Sequence, residues 1–120
     1  MARNILIVED EAPVREQLAE TLRDHGYGVT ATADGQSALQ QLETGAFDLL
    51  ITDWMIPKRH GLHVVQAVHE KWPDLPIIVV SGYLPDHDAK VLLKGYAEFV
   101  QKPVDPETLL SAVRRLLGRP

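Results

Sequence analysis

No cysteine occurs anywhere in the chain. Disulfides, thiolate metal sites and thiol catalysis are therefore excluded, and the absence agrees with a reducing compartment. Basic residues are in the minority, 12 against 17 acids for a net charge of −5, which argues against a nucleic-acid surface. Long apolar runs are missing too. The longest, such as Ile77–Val80, fall far short of the ~20 residues that span a bilayer as a helix. Met1-Ala2-Arg3-Asn4 leads straight into the first apolar run and leaves no room for a signal peptide, so a cytoplasmic protein is expected. Glycine-rich phosphate loops are also absent. Neither a Walker sequence nor G-x-G-x-x-G follows the first apolar run, so a nucleotide or dinucleotide cofactor is poorly supported.

What is present is a globular balance, 45% apolar and 24% charged over 120 residues, enough for one domain with its own core. Short β-branched runs stand at Ile5–Val8, Val29–Thr32, Leu49–Thr52, Ile77–Val80 and, weakest, Phe99–Val100. Three of them are continuously apolar, as expected for interior strands of a parallel sheet covered on both faces. Thr30 and Thr32 make the second run read as an edge strand.

Helical patterns lie between the runs. Pro13 suits a first turn, Val14, Leu18 and Leu22 recur every four residues, and Gly26 suits a C-terminal cap. Asp34 can cap a helix bearing Ala38, Leu39 and Leu42, stopped by Gly45. Leu62, Val65 and Val68 mark a third, ended by Pro73. Pro85–Leu93 reads as a short fourth with a poor apolar stripe. Asp105 and Pro106 open a fifth, with Leu109, Ala112, Val113, Leu116 and Leu117 on its buried side. The order βαβαβαβαβα, without repeat or internal linker, predicts a single doubly wound α/β domain over residues 1–120.

Ligands of such sheets bind beyond the carboxyl ends of the strands. Glu9, Asp10 and Glu11 follow the first run, Asp53 the third, Ser81 the fourth and Lys102 the fifth. Taken singly, each is an ordinary polar strand end. Together they aim acids, a hydroxyl and an ammonium at one rim. Two carboxylates 4 Å apart repel by roughly 4 kcal/mol at an effective dielectric near 20. Glu9, Asp10 and Asp53 therefore call for a cation, a proton or a lysine. An all-oxygen ligand set favours Mg²⁺ or another hard divalent ion. Such a site suits phosphoryl chemistry, with a carboxylate as nucleophile and the metal, the lysine and the Ser81 hydroxyl on the transferring oxygens.

Four segments, Ile5-Leu6-Ile7-Val8-Glu9-Asp10-Glu11, Asp53-Trp54-Met55-Ile56-Pro57 with Gly61, Val80-Ser81-Gly82 and Lys102-Pro103, together resemble the signature set of response-regulator receiver domains. The resemblance runs from Ile5 to Leu117. It implies a flavodoxin-like (βα)5 sandwich around a five-stranded parallel sheet of order 2-1-3-4-5. It also implies a signalling domain, not a turnover enzyme, that takes a phosphoryl group from a sensor histidine kinase or phosphotransfer protein and switches an output. By the same resemblance Asp53 is the phosphoacceptor. Glu9 and Asp10 hold Mg²⁺, with Asp10 the more direct ligand and the Met55 backbone carbonyl a further one. Ser81 engages the phosphoryl group, Gly82 leaves room for it and Lys102 pairs with its oxygens. The Lys102–Pro103 bond is a candidate for cis, and Phe99 matches the aromatic switch. A homodimer or an output domain would meet the fourth and fifth helices. Gly118-Arg119-Pro120 is expected to begin a linker, which favours a fragment of a longer regulator.

Some features depart from the pattern. The stretch from Ser81 to Phe99 is about one residue short, Pro85, Asp86 and Asp88 interrupt its helix, and Tyr96 stands where a small residue is usual. Lys58-Arg59-His60 makes an unusually basic loop. A haloacid-dehalogenase phosphatase would need an aspartate where Met55 stands, and a flavodoxin would need a hydroxyl-rich loop where Glu9, Asp10 and Glu11 stand. His63 and His69 do not share a helical face as metal ligands. Trp54 and Trp72 read as packing residues, Arg114-Arg115 as a solvated face, and Glu11 as a charge favourable to its helix N-terminus.

Overall fold

A computed structural model describes residues 3–53, 61–82 and 97–118. In chain order they form β1 (Asn4–Val8), α1 (Ala12–Asp24), β2 (Gly28–Thr32), α2 (Gly35–Thr44), β3 (Leu49–Asp53), α3 (Gly61–Lys71), β4 (Ile77–Ser81), β5 (Ala97–Gln101) and α4 (Pro106–Leu117). All strand pairs are parallel, in the order β2-β1-β3-β4-β5. The fold is thus the doubly wound sandwich that the alternation of elements predicts, in the flavodoxin-like strand order that the resemblance implies. The expected helix over Pro85–Leu93, with Tyr96, lies outside the described residues, as do Trp54, Met55 and Lys58-Arg59-His60.

Continuous apolar strands are explained by a sheet buried on both faces. Ile5, Ile7, Leu49, Ile51, Ile78 and Val80 face one way and pack with Leu18 and Leu22 of α1 and Leu109, Leu110 and Val113 of α4. Leu6, Val8, Leu50, Ile77 and Val79 face the other way, against Ala38 and Leu42 of α2 and Val64, Val65 and Val68 of α3. Adjacent residues of one strand thus serve opposite layers, the period-2 rule with both faces apolar. Leu116 and Leu117 are only half-buried and pack against the rim of the first layer. Trp72 packs against the second layer, with the Lys71 ammonium 5.0 Å from its ring centre.

The helix ends follow their sequence signals. The Asp34 side chain accepts from the Ser37 amide at 2.8 Å and the Asp105 side chain from the Thr108 amide at 3.0 Å. Gly26, at φ 91°, takes the left-handed turn past the end of α1. β5 is longer than the weak run Phe99–Val100. It is an edge strand in which Val100 alone is fully buried, so its polar residues hide it from an apolar count.

Candidate functional site

Parallel strands bring all their carboxyl ends to one rim, and the register sets the depth of each residue there. Asp53 ends β3, the middle strand, and stands beside Val80 of β4. Ser81 ends β4 beside Gln101 of β5, and the next residue, Lys102, donates its amide to the Ser81 carbonyl at 2.8 Å. Glu9 extends β1 by one residue, its amide donating to the Thr32 carbonyl of β2 at 3.0 Å. The ladder bonds themselves deliver these residues to one place.

There the side chains meet. The Lys102 ammonium donates to Glu9 Oε1 at 2.5 Å and to Asp53 Oδ2 at 2.8 Å. Glu9 is fully buried, Asp53 and Ser81 nearly so, and Asp10 is exposed. Carboxylate oxygens of Glu9, Asp10 and Asp53 all lie within 4.8 Å of one another. The other oxygen of Glu9, Oε2, is buried with no hydrogen-bond partner among the described residues. A buried, unpartnered carboxylate oxygen in an all-oxygen cluster is what a hard divalent cation satisfies, so these residues fit a metal such as Mg²⁺. A Cβ added at Gly82 would meet no atom of the described residues within 4 Å. The Lys102–Pro103 peptide bond is cis. Phe99, on β5, is half-buried against the α2–α3 layer. Met55 lies outside the described residues, so its carbonyl is not placed.

One ammonium faces several carboxylates, and the titration of the pair reflects that shortage. Burial, then the neighbouring Asp53 carboxylate, which can accept a hydrogen bond from the protonated form of Glu9, pushes the Glu9 carboxyl up to about 7 in spite of Lys102. Burial alone would depress Lys102, but its bonds to Asp53 and Glu9 override this and hold its pKa raised. A raised carboxyl pKa means the folded state binds a proton that the unfolded state has released. The metal-free fold should therefore lose stability as pH rises from about 4.5 through about 7. The raised lysine keeps its favourable term throughout that window and loses it only in strong alkali. Relative to the wild type, Glu9→Gln should gain on the order of 2 kcal/mol between pH 5 and pH 8 without metal. Urea unfolding at both pH values checks this, and a constant difference between the two proteins would contradict the assignment.

Two contacts are invisible to strand-end reasoning. Lys102 pairs with Glu9 as well as with Asp53, so one ammonium is shared by two carboxylates. Arg15, on α1, reaches back so that its guanidinium Nη1 donates to the Glu9 carbonyl at 2.8 Å. Its only trace in the sequence is a cation one helical turn beyond the acidic triplet.

Carboxylates and a lysine are thus gathered at the carboxyl ends of β1, β3 and β5, the rim where ligands of flavodoxin-like doubly wound sheets bind. Residues 5–114 match the family model of the response regulator receiver domain. The chain belongs to that family, and is a receiver domain of two-component response regulators, a signalling domain. Among relatives, the transcriptional regulatory protein DltR of Streptococcus agalactiae is 35% identical over 111 residues, 92% of this chain and 50% of DltR. The phosphate regulon transcriptional regulatory protein PhoB of Escherichia coli is 30% identical over 122 residues, 99% of this chain and 53% of PhoB. The chain thus spans about half the length of the curated relatives it matches. Among solved structures, the chemotaxis protein CheY4 of Vibrio cholerae superposes with a TM-score of 0.90 at 30% identity, covering 98% of this chain and all of that one.

Proposed function

We propose that this receiver domain accepts a phosphoryl group on Asp53 from a histidine kinase or phosphotransfer protein and passes the change on as altered surface geometry. The observation that carries the reading is the Lys102 ammonium bonded to Asp53 and Glu9 at the rim of the sheet, beside a Glu9 oxygen unpartnered among the described residues. A carboxylate oxygen of Asp53 attacks the donor phosphorus. The bond from phosphorus to the donor atom breaks, its electron pair leaving with the donor, and an acyl phosphate forms. Lys102 follows the charge onto the phosphoryl oxygens, and the Ser81 hydroxyl donates to one of them. Asp10, Asp53 and Glu9, with the Met55 carbonyl, would hold Mg²⁺, which when bound supplies charge neutralisation on those oxygens. Water later cleaves the acyl phosphate, so the domain works as a timed acceptor and not as an enzyme acting on a separate substrate.

Incubation with acetyl phosphate and Mg²⁺ should add one phosphoryl group, read by intact mass at short times. Chelation of the metal should suppress it by at least about a hundredfold, since one cation offsets several kcal/mol of charge. Equal labelling with and without chelator would overturn the metal's part in the reading.

The conformational response is proposed to run through Ser81 and Phe99. A bond from Ser81 to the phosphoryl group draws in the end of β4. The half-buried ring of Phe99, one strand away and with no hydroxyl to tether it to water, then moves inward. The two states need differ by only a few kcal/mol. Ser81→Ala should still allow phosphorylation but flatten the amide shift changes at Gly82 and Ala97–Val100 on adding beryllofluoride. Shift changes as large as in the wild type would sink that coupling. No described helix is long and apolar enough to cross a membrane, and we assign the domain to the cytoplasm. The exposed Arg114 and Arg115 of α4 are the proposed side for a second copy or an output domain.

A further inference from the structure

We propose that Arg15 is a positioning residue for the acidic rim, clamping the turn between β1 and α1 so that Glu9 and Asp10 stay aimed at the site. The inference rests on the metal-dependent reading above and adds a residue to it.

That turn is short and poorly held by its own side chains. It runs through Glu9, Asp10 and Glu11, and Glu11, at the N-cap of α1, makes no side-chain capping bond. Pro13, in the first turn of α1, brings no amide. Arg15 takes over. Its guanidinium Nη1 donates to the Glu9 carbonyl at 2.8 Å and, more weakly, to the Asp10 carbonyl at 3.4 Å, while its own amide donates to the Glu11 carbonyl at 2.9 Å. The side chain thus holds two successive carbonyls of the turn that carries two of the cluster's carboxylates, and the first backbone bond of the helix holds the next.

The clamp matters because the carboxylates oppose it. Without metal, Glu9, Asp10 and Asp53 crowd within 4.8 Å, and the exposed Asp10 can relieve the repulsion by rotating its backbone outward. Fixing the carbonyls fixes the peptide planes, and with them the side-chain directions that a metal needs ready-made. Arginine suits the task because its terminal nitrogen Nη1 carries two N–H groups held in one plane, one for each carbonyl. Lysine keeps the charge but lacks the rigid plane that presents the two N–H groups together.

Arg23 provides an internal control. It lies on the same helix and its guanidinium also donates to a backbone carbonyl, that of Val29 on β2 at 3.0 Å, away from the rim. Mg²⁺ affinity should be measured by calorimetry for wild type, Arg15→Met, Arg15→Lys and Arg23→Met, with amide exchange at Asp10, Glu11 and Ala12 followed in metal-free protein. Loss of an outer partner of a metal site typically weakens affinity by roughly 10-fold or more. Arg15→Met should show that loss together with faster exchange at the three amides, and Arg15→Lys should lie between it and wild type. Arg23→Met should lower the melting temperature while leaving Mg²⁺ affinity and the three amides unchanged. Unchanged exchange at those amides in both Arg15 variants overturns the clamp, whatever the metal does. Faster exchange with Mg²⁺ affinity within twofold of wild type overturns its role in aiming the acids. Failure of the wild type to bind Mg²⁺ would instead strike the metal-dependent reading, and the exchange result would still decide whether the clamp exists.

Discussion

Asp53→Asn should lower acetyl phosphate labelling by at least ~10³-fold while leaving the fold intact. The substitution keeps volume and shape and changes only the chemistry, because a carboxamide cannot form an acyl phosphate. The neighbouring acids are poor replacements. Glu9 is fully enclosed, so a phosphoryl donor has poor access to its oxygens. Asp10 is open to solvent, and Lys102 bonds to Glu9 and Asp53 instead. Asp53 has both the lysine contact and a place at the end of the middle strand. Residual slow labelling at Asp10 would be compatible with this ranking. Labelling of the variant at the wild-type rate would remove Asp53 from the role, and peptide mapping would show which acid had taken it.

The architecture could be read from residues because both sheet faces are apolar. Ile5–Val8 and Ile77–Val80 leave no alternation to confuse with a helix, and Pro13, Asp34, Gly45 and Asp105 punctuate the helices chemically. β5 is the least legible strand because an edge strand tolerates polar residues, and its Glu98 meets Arg115 of α4 at 2.7 Å. Strand-end reasoning brought Glu9, Asp10, Asp53, Ser81 and Lys102 to one rim, since in a parallel sheet the residue after each strand must arrive there. It could not say which carboxylate the ammonium would meet. Lys102 and Glu9 are 93 positions apart, and their pairing depends on side-chain reach, for which a strand boundary good to a residue or two is too coarse. The Arg15 contact was hidden for a related reason. A helical cation is usually solvated, and only the backward path of its side chain distinguishes this one.

Lys102→Met should destabilise the metal-free protein by roughly 3 kcal/mol at pH 8, and by much less at pH 5. Methionine retains most of the apolar stem, so the loss isolates the charge. Two buried carboxylates would then face each other without the cation that now bonds both. Leaving them ionised is costly, so Glu9 would hold its proton to a still higher pH than the value near 7 that it has beside Lys102. The sign follows from proton counting. The folded variant binds a proton that the unfolded chain has already released, so its stability falls with rising pH over a wider window than in the wild type. Urea unfolding at pH 5, 6.5 and 8 should show the gap between variant and wild type widening steadily. The double variant Glu9→Gln with Lys102→Met should recover much of the loss at pH 8, because the uncompensated acid has gone with its partner. Added Mg²⁺ should stabilise Lys102→Met more than the wild type, a second cation standing in for the first. If the loss is as large at pH 5 as at pH 8, it does not track the ionisation of Glu9, and the electrostatic account of the rim fails.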